Sequence, residues 1–434
     1  MILYHHLYLY ILKSILKMSK KNRPSLLFTL FFFISSYSHA QNLGNEWINY
    51  NQTYFKIKIT QKGIYQLSFQ ELKSAGFPIN INPEKIQLFR SGKEQAIYIK
   101  GEEDKILNES DFIEFYAEGN DGTLDSLLYQ PTSSQPHQYY SLYSDTSSYF
   151  LTYKLDNQVN KRIKLLSKTN TQNLQPESFH CEETLQLFTS SYNIGQPEPI
   201  GITQNNGVLN SNYSYGKGWT GNVLDKNIFY NFDINLRNII KTNTPQPILE
   251  ILFTGRSAGG HFLETYLGEG SSQRILDTTF YENYYVKKIN KIIEFQDIVN
   301  SKIRISTRSV GTQNDQNSVS YLKLNYPQSF DMLGVSEKYF TLNSNAKNNY
   351  FIKIPNVPQG LNLYDISDKF MVQKITFIKN SNEVNAIVEG TKILATNQFK
   401  KVNSIESILL RNINNSKANC LIISHKNLLK NVKE

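Results

Sequence analysis

From Tyr54 the chain alternates strictly, with Phe55, Ile57 and Ile59 on one face and Lys56, Lys58 and Thr60 on the other. A period of two residues is that of an extended strand with one buried face and one wet face, and it constrains this chain more than any other feature. The three-residue link Gln61-Lys62-Gly63 leads into a second alternation of Tyr65, Leu67 and Phe69, which predicts a hairpin with Gly63 at the awkward backbone angle. Ser68 and Glu71 have capping-box spacing, so a short helix is expected to begin there and to stop at Gly76 and Pro78.

Further strands are predicted at 85–89, 96–100, 112–116 and 148–154, followed by a polar stretch that reads as a linker. Beyond it, strand candidates recur at 227–236, 248–253, 261–267, 302–306, 319–326, 350–354 and 375–379, separated by Asn, Gly, Ser and Pro. Short strands with regular turn signals, and no long amphipathic helix, predict a mainly β chain of β-sandwich or jelly-roll type. The aromatic content agrees: 28 Tyr and 25 Phe stand against 4 Met, and flat rings pack well on a pleated, half-buried surface. No internal repeat is present.

The last forty residues change character. Ala418 to Ile423 is a continuous apolar run, and Leu428, Leu429 and Val432 follow at helical spacing. A fully apolar strand followed by a helix is how a parallel α/β unit opens, here expected to be incomplete at Glu434. The expected division is therefore a signal region over 1–40, an N-terminal β-rich domain over 41–155, a linker over 156–183, a β-sandwich-like domain over 184–385, and a linker with the opening strand and helix of a truncated α/β domain over 386–434.

At the start, Lys20, Lys21 and Arg23 precede an apolar run from Leu26 to Ile34, and Ser38-His39-Ala40 places small residues at the first and third cleavage positions. That is the pattern of a secretory signal peptide, with an apolar core far shorter than the roughly 20 residues a membrane span needs. Met18, just ahead of the basic region, is the expected true start. The formal charge is +9, but Lys13, Lys17, Lys20, Lys21 and Arg23 all lie in the first forty residues, which hold no acids, so +4 remains for the rest. Without long basic runs this gives no footprint for nucleic acid. Cys181 and Cys420 fall in different expected domains and read as lone thiols.

Four motifs carry chemistry on paper. Gly216, Gly218 and Gly221 satisfy the spacing of a dinucleotide fingerprint, yet a buried strand before and a helix after are both missing, and a flexible surface loop is the favoured reading. Gly255-Arg256-Ser257-Ala258-Gly259 has the form of a nucleophile elbow and follows an apolar strand. His261, Leu263, Thr265 and Leu267 then alternate as another strand, and His425 is the distant downstream His, so a glycine-rich turn between two strands is favoured over a hydrolase. Asn120-Asp121-Gly122, with Glu118 and Asp125, could suit a hard cation, but the full ligand ladder is missing and Asn-Asp-Gly is first of all turn chemistry. Cys420 and His425 are an odd number of residues apart, which places them on opposite faces of a strand rather than together as nucleophile and base.

The segment Tyr54 to Gly76, then Ile86-Gln87-Leu88-Phe89, Glu118 to Gly122 with Asp125 and Tyr129, and Asp145 to Tyr153 together resemble the N-terminal region of gingipain-like cysteine peptidases (family C25), nearest to the PorU-type sortases of type IX secretion. Gly216 to Gly221 looks like that family's Gly-Trp loop. Leu363-Tyr364-Asp365-Ile366-Ser367-Asp368 is similar to its Val-Trp-Asp-Ile-Thr-Asp-type segment, with Tyr364 in place of Trp, and Ala418 to His425 is similar to the first strand of the peptidase domain.

The resemblance implies β-rich front domains before a caspase-like domain whose catalytic His and Cys lie beyond Glu434. No residue here then inherits a catalytic, cofactor-binding or metal-binding role, and no cofactor is expected. It further implies an outer-membrane secretion and attachment complex as partner, cargo C-terminal sorting domains as substrates of the parent family, and a periplasmic or cell-surface location, with this chain supplying the scaffold and partner contacts. The alternative is a stand-alone adhesive or glycan-binding β-sandwich, with Trp219 as a stacking platform.

Overall fold

The computed structural model describes residues 44–154, 160–171, 173–199, 208–209, 213–312, 314–343 and 347–412, with Ser424 and Asn427. The signal region with Met18, the apolar run at 418–423 with Cys420, and His425, Leu428, Leu429 and Val432 lie outside the described residues. Residues Met1–Asn49 separate as a unit from Tyr50–Glu434, which carries everything that follows.

The first strands are β1 (Tyr54–Ile59), β2 (Gly63–Ser68), β3 (Ile86–Arg90), β4 (Lys93–Gln95), β5 (Tyr98–Ile99), β6 (Phe112–Ala117) and β7 (Ser147–Tyr153). The expected β1–β2 hairpin is not formed. β1 pairs with β7, while β2 pairs with β6, so the two successive strands belong to different sheets, β1-β7-β3-β4 and β2-β6-β5. The physical reason is that both alternations need cover on their apolar faces, and two facing sheets give it: Phe55, Ile57 and Ile59 pack in one core with Tyr65, Leu67, Ile113 and Phe115. Gly63, at φ 149, carries the chain around the corner, and a Cβ there would strike the Lys400 side chain.

The expected helix is present as α1 (Phe69–Ser74): Ser68 Oγ accepts from the Glu71 N–H at 3.3 Å, and Glu71 Oε2 accepts from the Ser68 N–H at 2.7 Å.

The segment expected to be a linker contributes β8 (Lys164–Leu166) and opens β9 (His180–Leu187). Next come β10 (Ser191–Asn193), β11 (Pro197–Glu198), β12 (Val208–Leu209), β13 (Gly218–Thr220), β14 (Tyr230–Asn235), β15 (Ile248–Gly255), β16 (Gly260–Leu267), β17 (Arg274–Glu282), β18 (Val286–Ile292), β19 (Lys302–Ser309) and β20 (Asn317–Gln328). Two antiparallel four-stranded sheets, β14-β19-β16-β17 and β18-β15-β20-β9, sandwich a second core that includes Ile234, Ile251, Phe253, Leu263, Ile303, Ile305 and Leu322.

A third core follows under β21 (Glu337–Thr341), β22 (Tyr350–Pro355), β23 (Asn362–Asp365), β24 (Gln373–Ile375), β25 (Phe377–Asn380), β26 (Glu383–Val388) and β27 (Lys392–Thr396). Its sheets are β21-β27-β23-β24-β8 and β22-β26-β25, around Phe340, Ile352, Ile354, Leu363, Val384 and Ile393. β8 joins it in parallel with β24. Finally β28 (Ile405–Ile408) returns to the first sheet and pairs antiparallel with β1, Tyr54 opposite Ile408. A small cluster of Ile64, Tyr116, Tyr364, Ile366, Val372 and Leu394 joins the first and third cores. The chain is mainly β, as its alternation predicts, and its buried apolar residues gather in three main cores.

Candidate functional site

Where the second and third cores meet, β9 is the last strand of one sheet and β21 the last strand of another. Between them lies a groove of about 890 Å³, reached also by Lys62, Glu118 and Asp368 from neighbouring turns. All five residues of β21 and the consecutive Cys181, Glu182 and Glu183 of β9 line it. Successive side chains of a strand point to opposite faces, so consecutive lining means that both strands present their edges to the groove rather than one face.

The register identifies which backbone groups face outward. The Leu342 N–H donates to Thr391 O at 2.7 Å and the Asn397 N–H donates to Ser336 O at 3.0 Å, so Ser336, Lys338, Phe340 and Leu342 are turned towards β27. In an antiparallel ladder the intervening residues, Glu337, Tyr339 and Thr341, direct their N–H and C=O the other way. On β9 the Phe188 N–H donates to Ser320 O at 3.0 Å, and the same alternation turns Cys181 and Glu183 away from β20. Pro327, which has no N–H, stands opposite Cys181 at a position where the ladder asks for none.

The groove's charges are unevenly spent. Lys62 sits over the Tyr339 ring at 4.0 Å, Lys338 Nζ donates to Asp331 O at 2.7 Å, Lys369 reaches Glu118 at 3.4 Å, and Lys400 pairs with Glu337 at 3.2 Å. Among the described residues, Glu182 has no Lys or Arg partner and its close basic neighbour is His180 Nδ1 at 3.9 Å. Burial raises the Glu182 carboxyl above its ordinary range, against the pull of Lys338 and Lys62, and burial lowers the Lys338 ammonium. Burial also raises the Cys181 thiol, with Glu183 and Glu182 adding to it, which keeps that sulfur protonated and unreactive. His180, wholly buried against Phe330 and Phe340, is pushed down to about 3 by burial.

The motif residues are placed elsewhere. Gly255–Gly259 links β15 and β16, strands of the two sheets that sandwich the second core, and is followed by a strand rather than a helix. Ser257 Oγ accepts from the Gln316 N–H at 3.0 Å, and His261 is fully buried, with Nδ1 2.5 Å from Asp315 Oδ1 and Nε2 2.7 Å from Asn283 O. Ser309 Oγ and the Asn317 amide also donate to Asp315, and although burial raises this carboxyl, its hydrogen bonds hold it below the usual carboxylate range. His261 and Asp315 thus clamp the turn region of the sandwich rather than serve a nucleophile.

Gly218, read as part of a flexible surface loop, instead opens β13, which pairs with β10, and a Cβ on Gly216 would meet Tyr284 O. The Trp219 indole N–H donates to Leu142 O at 3.3 Å, and its ring takes edge contacts from Tyr192 and Tyr140. Around it the β6–β7 connection crosses from the first core onto the second. Tyr129 Oη donates to Lys217 O at 2.7 Å, and the ring of Tyr139 meets that of Tyr321 edge-on at 5.1 Å.

In the Asn120-Asp121-Gly122 turn, Asp121 accepts from the Thr123 N–H and Asp125 from the Leu142 N–H, while Glu118 accepts from Arg90 and Tyr116. Among the described residues no three His, Cys, Asp or Glu side chains gather as a metal site.

The groove was not legible in the sequence. β9 reads His-Cys-Glu-Glu-Thr, too polar to register as a strand, and β21 is half-buried throughout except at Phe340 and Thr341. A signal did exist in Tyr339 and Phe340, an aromatic pair flanked by charges.

Three cores between mostly antiparallel sheets place the chain in the mainly β class, with an edge groove as its candidate site. Within that class the fold is similar to that of a dimeric latent PorU from Porphyromonas gingivalis, whose crystal structure matches with a TM-score of 0.56 at 12% identity, over 85% of this chain and 34% of that chain. This chain therefore spans about a third of PorU. BuGH86 in complex with neoagarooctaose matches with a TM-score of 0.19 at 10% identity, over 63% of this chain and 31% of that one. The xylan-binding module CBM15 also reaches a TM-score of 0.19, at 11% identity over 35% of this chain and 92% of that one, and neither of these two carries an argument. No family model and no curated protein matches the chain.

Proposed function

We propose that this chain is the non-catalytic front part of a PorU-type sortase, a scaffold that holds partner-contact surfaces for a secretion and attachment complex at the cell surface. The observation that supports the reading is the likeness in fold to PorU, which covers 85% of the chain rather than one common sandwich. It agrees with the order of segments that resemble PorU-type sortases, from Tyr54 to Asp368. The division into a signal region, β domains and an opening peptidase strand, and export across the inner membrane, belong to the same proposal.

The test uses the purified full chain with a cargo protein that retains its C-terminal sorting domain. The expected result is saturable association with either the cargo or the attachment complex and an intact cargo on mass spectrometry. Cleavage of the sorting domain by this chain unaided overturns the scaffold reading.

A further inference from the structure

We infer that the outward face of the sheet β14-β19-β16-β17 binds an uncharged polysaccharide, with the rings of Phe262 and Phe280 at one end and those of Tyr266 and Phe229 at the other stacking on its sugar units. The inference goes beyond the sortase-scaffold reading, because it needs this face alone and not the likeness to PorU. It does not involve Trp219, whose ring and N–H are spent on Tyr140, Tyr192 and Leu142.

The face follows from strand alternation. Along β16, His261, Leu263, Thr265 and Leu267 are buried, so Phe262, Glu264 and Tyr266 point outward. The register brings Phe280 of β17 opposite Phe262, and sets Thr278 of β17 and Arg308 of β19 on either side of Glu264. The Phe262 and Phe280 ring centroids lie 4.7 Å apart, and Phe229 meets Tyr266 edge-on at 5.3 Å. Phe262 and Phe280 keep 43% and 48% of their surface in water, and Phe229 keeps 39%. Exposed apolar rings gathered on one face mark a binding surface more than rings scattered singly do. Phe262 and Tyr266, four residues apart on one strand, are separated by about 13 Å, wider than one sugar ring, so a chain of linked sugars is needed to reach both ends.

Charge and layout select the occupant. Arg308 Nε donates to Glu264 Oε2 at 2.9 Å and Arg308 Nη2 to the Tyr266 hydroxyl at 3.1 Å, while that hydroxyl donates to the same carboxylate oxygen at 2.6 Å. Arg304 holds both oxygens of Asp233 at 2.8 Å. Glu264 and Asp233 are thus each cancelled by a guanidinium, and the middle of the face offers a charged ligand no unspent counter-charge. The rings flank this ionic strip instead of forming a continuous apolar centre. A protein interface has the reverse order, a centre depleted of charge within a polar rim, and a lipid surface would have to dehydrate the Glu264–Arg308 pair. A polysaccharide has the matching order. The C–H groups of its rings are weakly positive and lie against the negative face of an aromatic ring, while its hydroxyls both donate and accept. Among the described residues, Glu264 Oε1 and Arg308 Nη1 are left without hydrogen-bond partners, side by side as an acceptor and a donor for neighbouring hydroxyls of one sugar. The Asn231 amide, whose oxygen accepts from Ser306 Oγ at 2.6 Å, adds further donors two strands away.

The probes are a β-glucan, a mannan and a galactan, each immobilised and exposed to the full chain in biolayer interferometry. Binding to at least one is expected, and it should hold its strength as salt is raised, since contacts to an uncharged ligand are not screened. Phe262→Ala and Tyr266→Ala are each expected to weaken it at least about tenfold, and Phe262→Leu, which keeps apolar cover but no ring, to do the same. Trp219→Phe should leave it unchanged. Phe280→Ala, at a second exposed ring, decides where a Phe262 variant fails to fold. The inference is wrong if none of the polysaccharides binds, if the ring variants bind as the parent does, if binding vanishes with rising salt, or if Trp219→Phe abolishes it. It is equally wrong if Phe262→Ala dissolves a dimer seen by sedimentation, which would assign the face to a second copy of the chain.

Discussion

The Tyr364 hydroxyl donates a 2.7 Å hydrogen bond to Glu114 Oε1, tying a strand of the third core to a carboxylate that is 1% exposed inside the first. The Gln66 amide holds the other oxygen of Glu114 at 3.1 Å. Burial raises the Tyr364 phenol far above its ordinary value, and the Glu114 charge raises it further, so the hydroxyl is a permanent donor.

Tyr364→Phe removes that donor and leaves a buried carboxylate short of one partner, which costs about 1–3 kcal/mol. Thermal unfolding of the variant is expected at a lower temperature, and Glu114→Gln in the same background is expected to recover part of the loss. An unchanged melting temperature for Tyr364→Phe would show that this hydrogen bond does not help to hold the two cores together.

Asp315→Ala leaves His261, Ser309 and the Phe262 N–H without their acceptor in a fully buried site, and is expected to cost about 3–5 kcal/mol. The carboxyl's folded pKa lies below its unfolded value. Its stabilisation is therefore complete above the unfolded carboxylate range, about pH 4, and is lost as the pH falls through the lower folded value. The difference between parent and variant should then be constant at neutral pH and shrink only in strong acid, as denaturant melts at several pH values would reveal.

Glu182 behaves in the opposite sense. Its folded pKa is raised, so ionisation opposes folding above the unfolded range and ceases to do so as the pH falls. Glu182→Gln is expected to raise the melting temperature at pH 7 and to leave it unchanged near pH 4 on differential scanning calorimetry.

Trp219→Ala removes the ring that receives Tyr140 and Tyr192 and the N–H that holds Leu142. A loss of about 3 kcal/mol is expected, at the low end for a large aromatic truncation because the ring is half-buried. Hydrogen exchange should quicken along residues 120–146, the connection laid over the second core. Unaltered exchange there, together with lost binding to a glycan array, would favour the adhesive reading instead.

Much of the fold was legible because apolar alternation survives wherever a strand has one buried face. Phe55, Ile57 and Ile59, or Leu263, Thr265 and Leu267, point inward as their spacing predicts. What escaped was pairing. Nothing local distinguishes a corner from a hairpin at Gln61-Lys62-Gly63, since the choice depends on β7 and β28, far along the chain. Strands such as β8, β9 and β17 were missed for a related reason: Lys164–Leu166 is exposed on two of three positions, and Arg274–Glu282 exposes Ile275 and Phe280 while it buries Thr279, so the apolar residues do not mark the buried face. The candidate site was the least legible part, because edge backbone groups carry no sequence signature.

The return of β28 to β1 has a consequence for the order of events as the chain is made. Its partners, such as Tyr54 and Ile408, are separated by roughly 350 residues, so the first sheet cannot close until nearly the whole described chain has emerged. A long closure of this kind folds slowly and leaves one side of β1 bare in the meantime. An escort that covers extended segments of a growing chain would meet that bare edge before the closed first sheet exists.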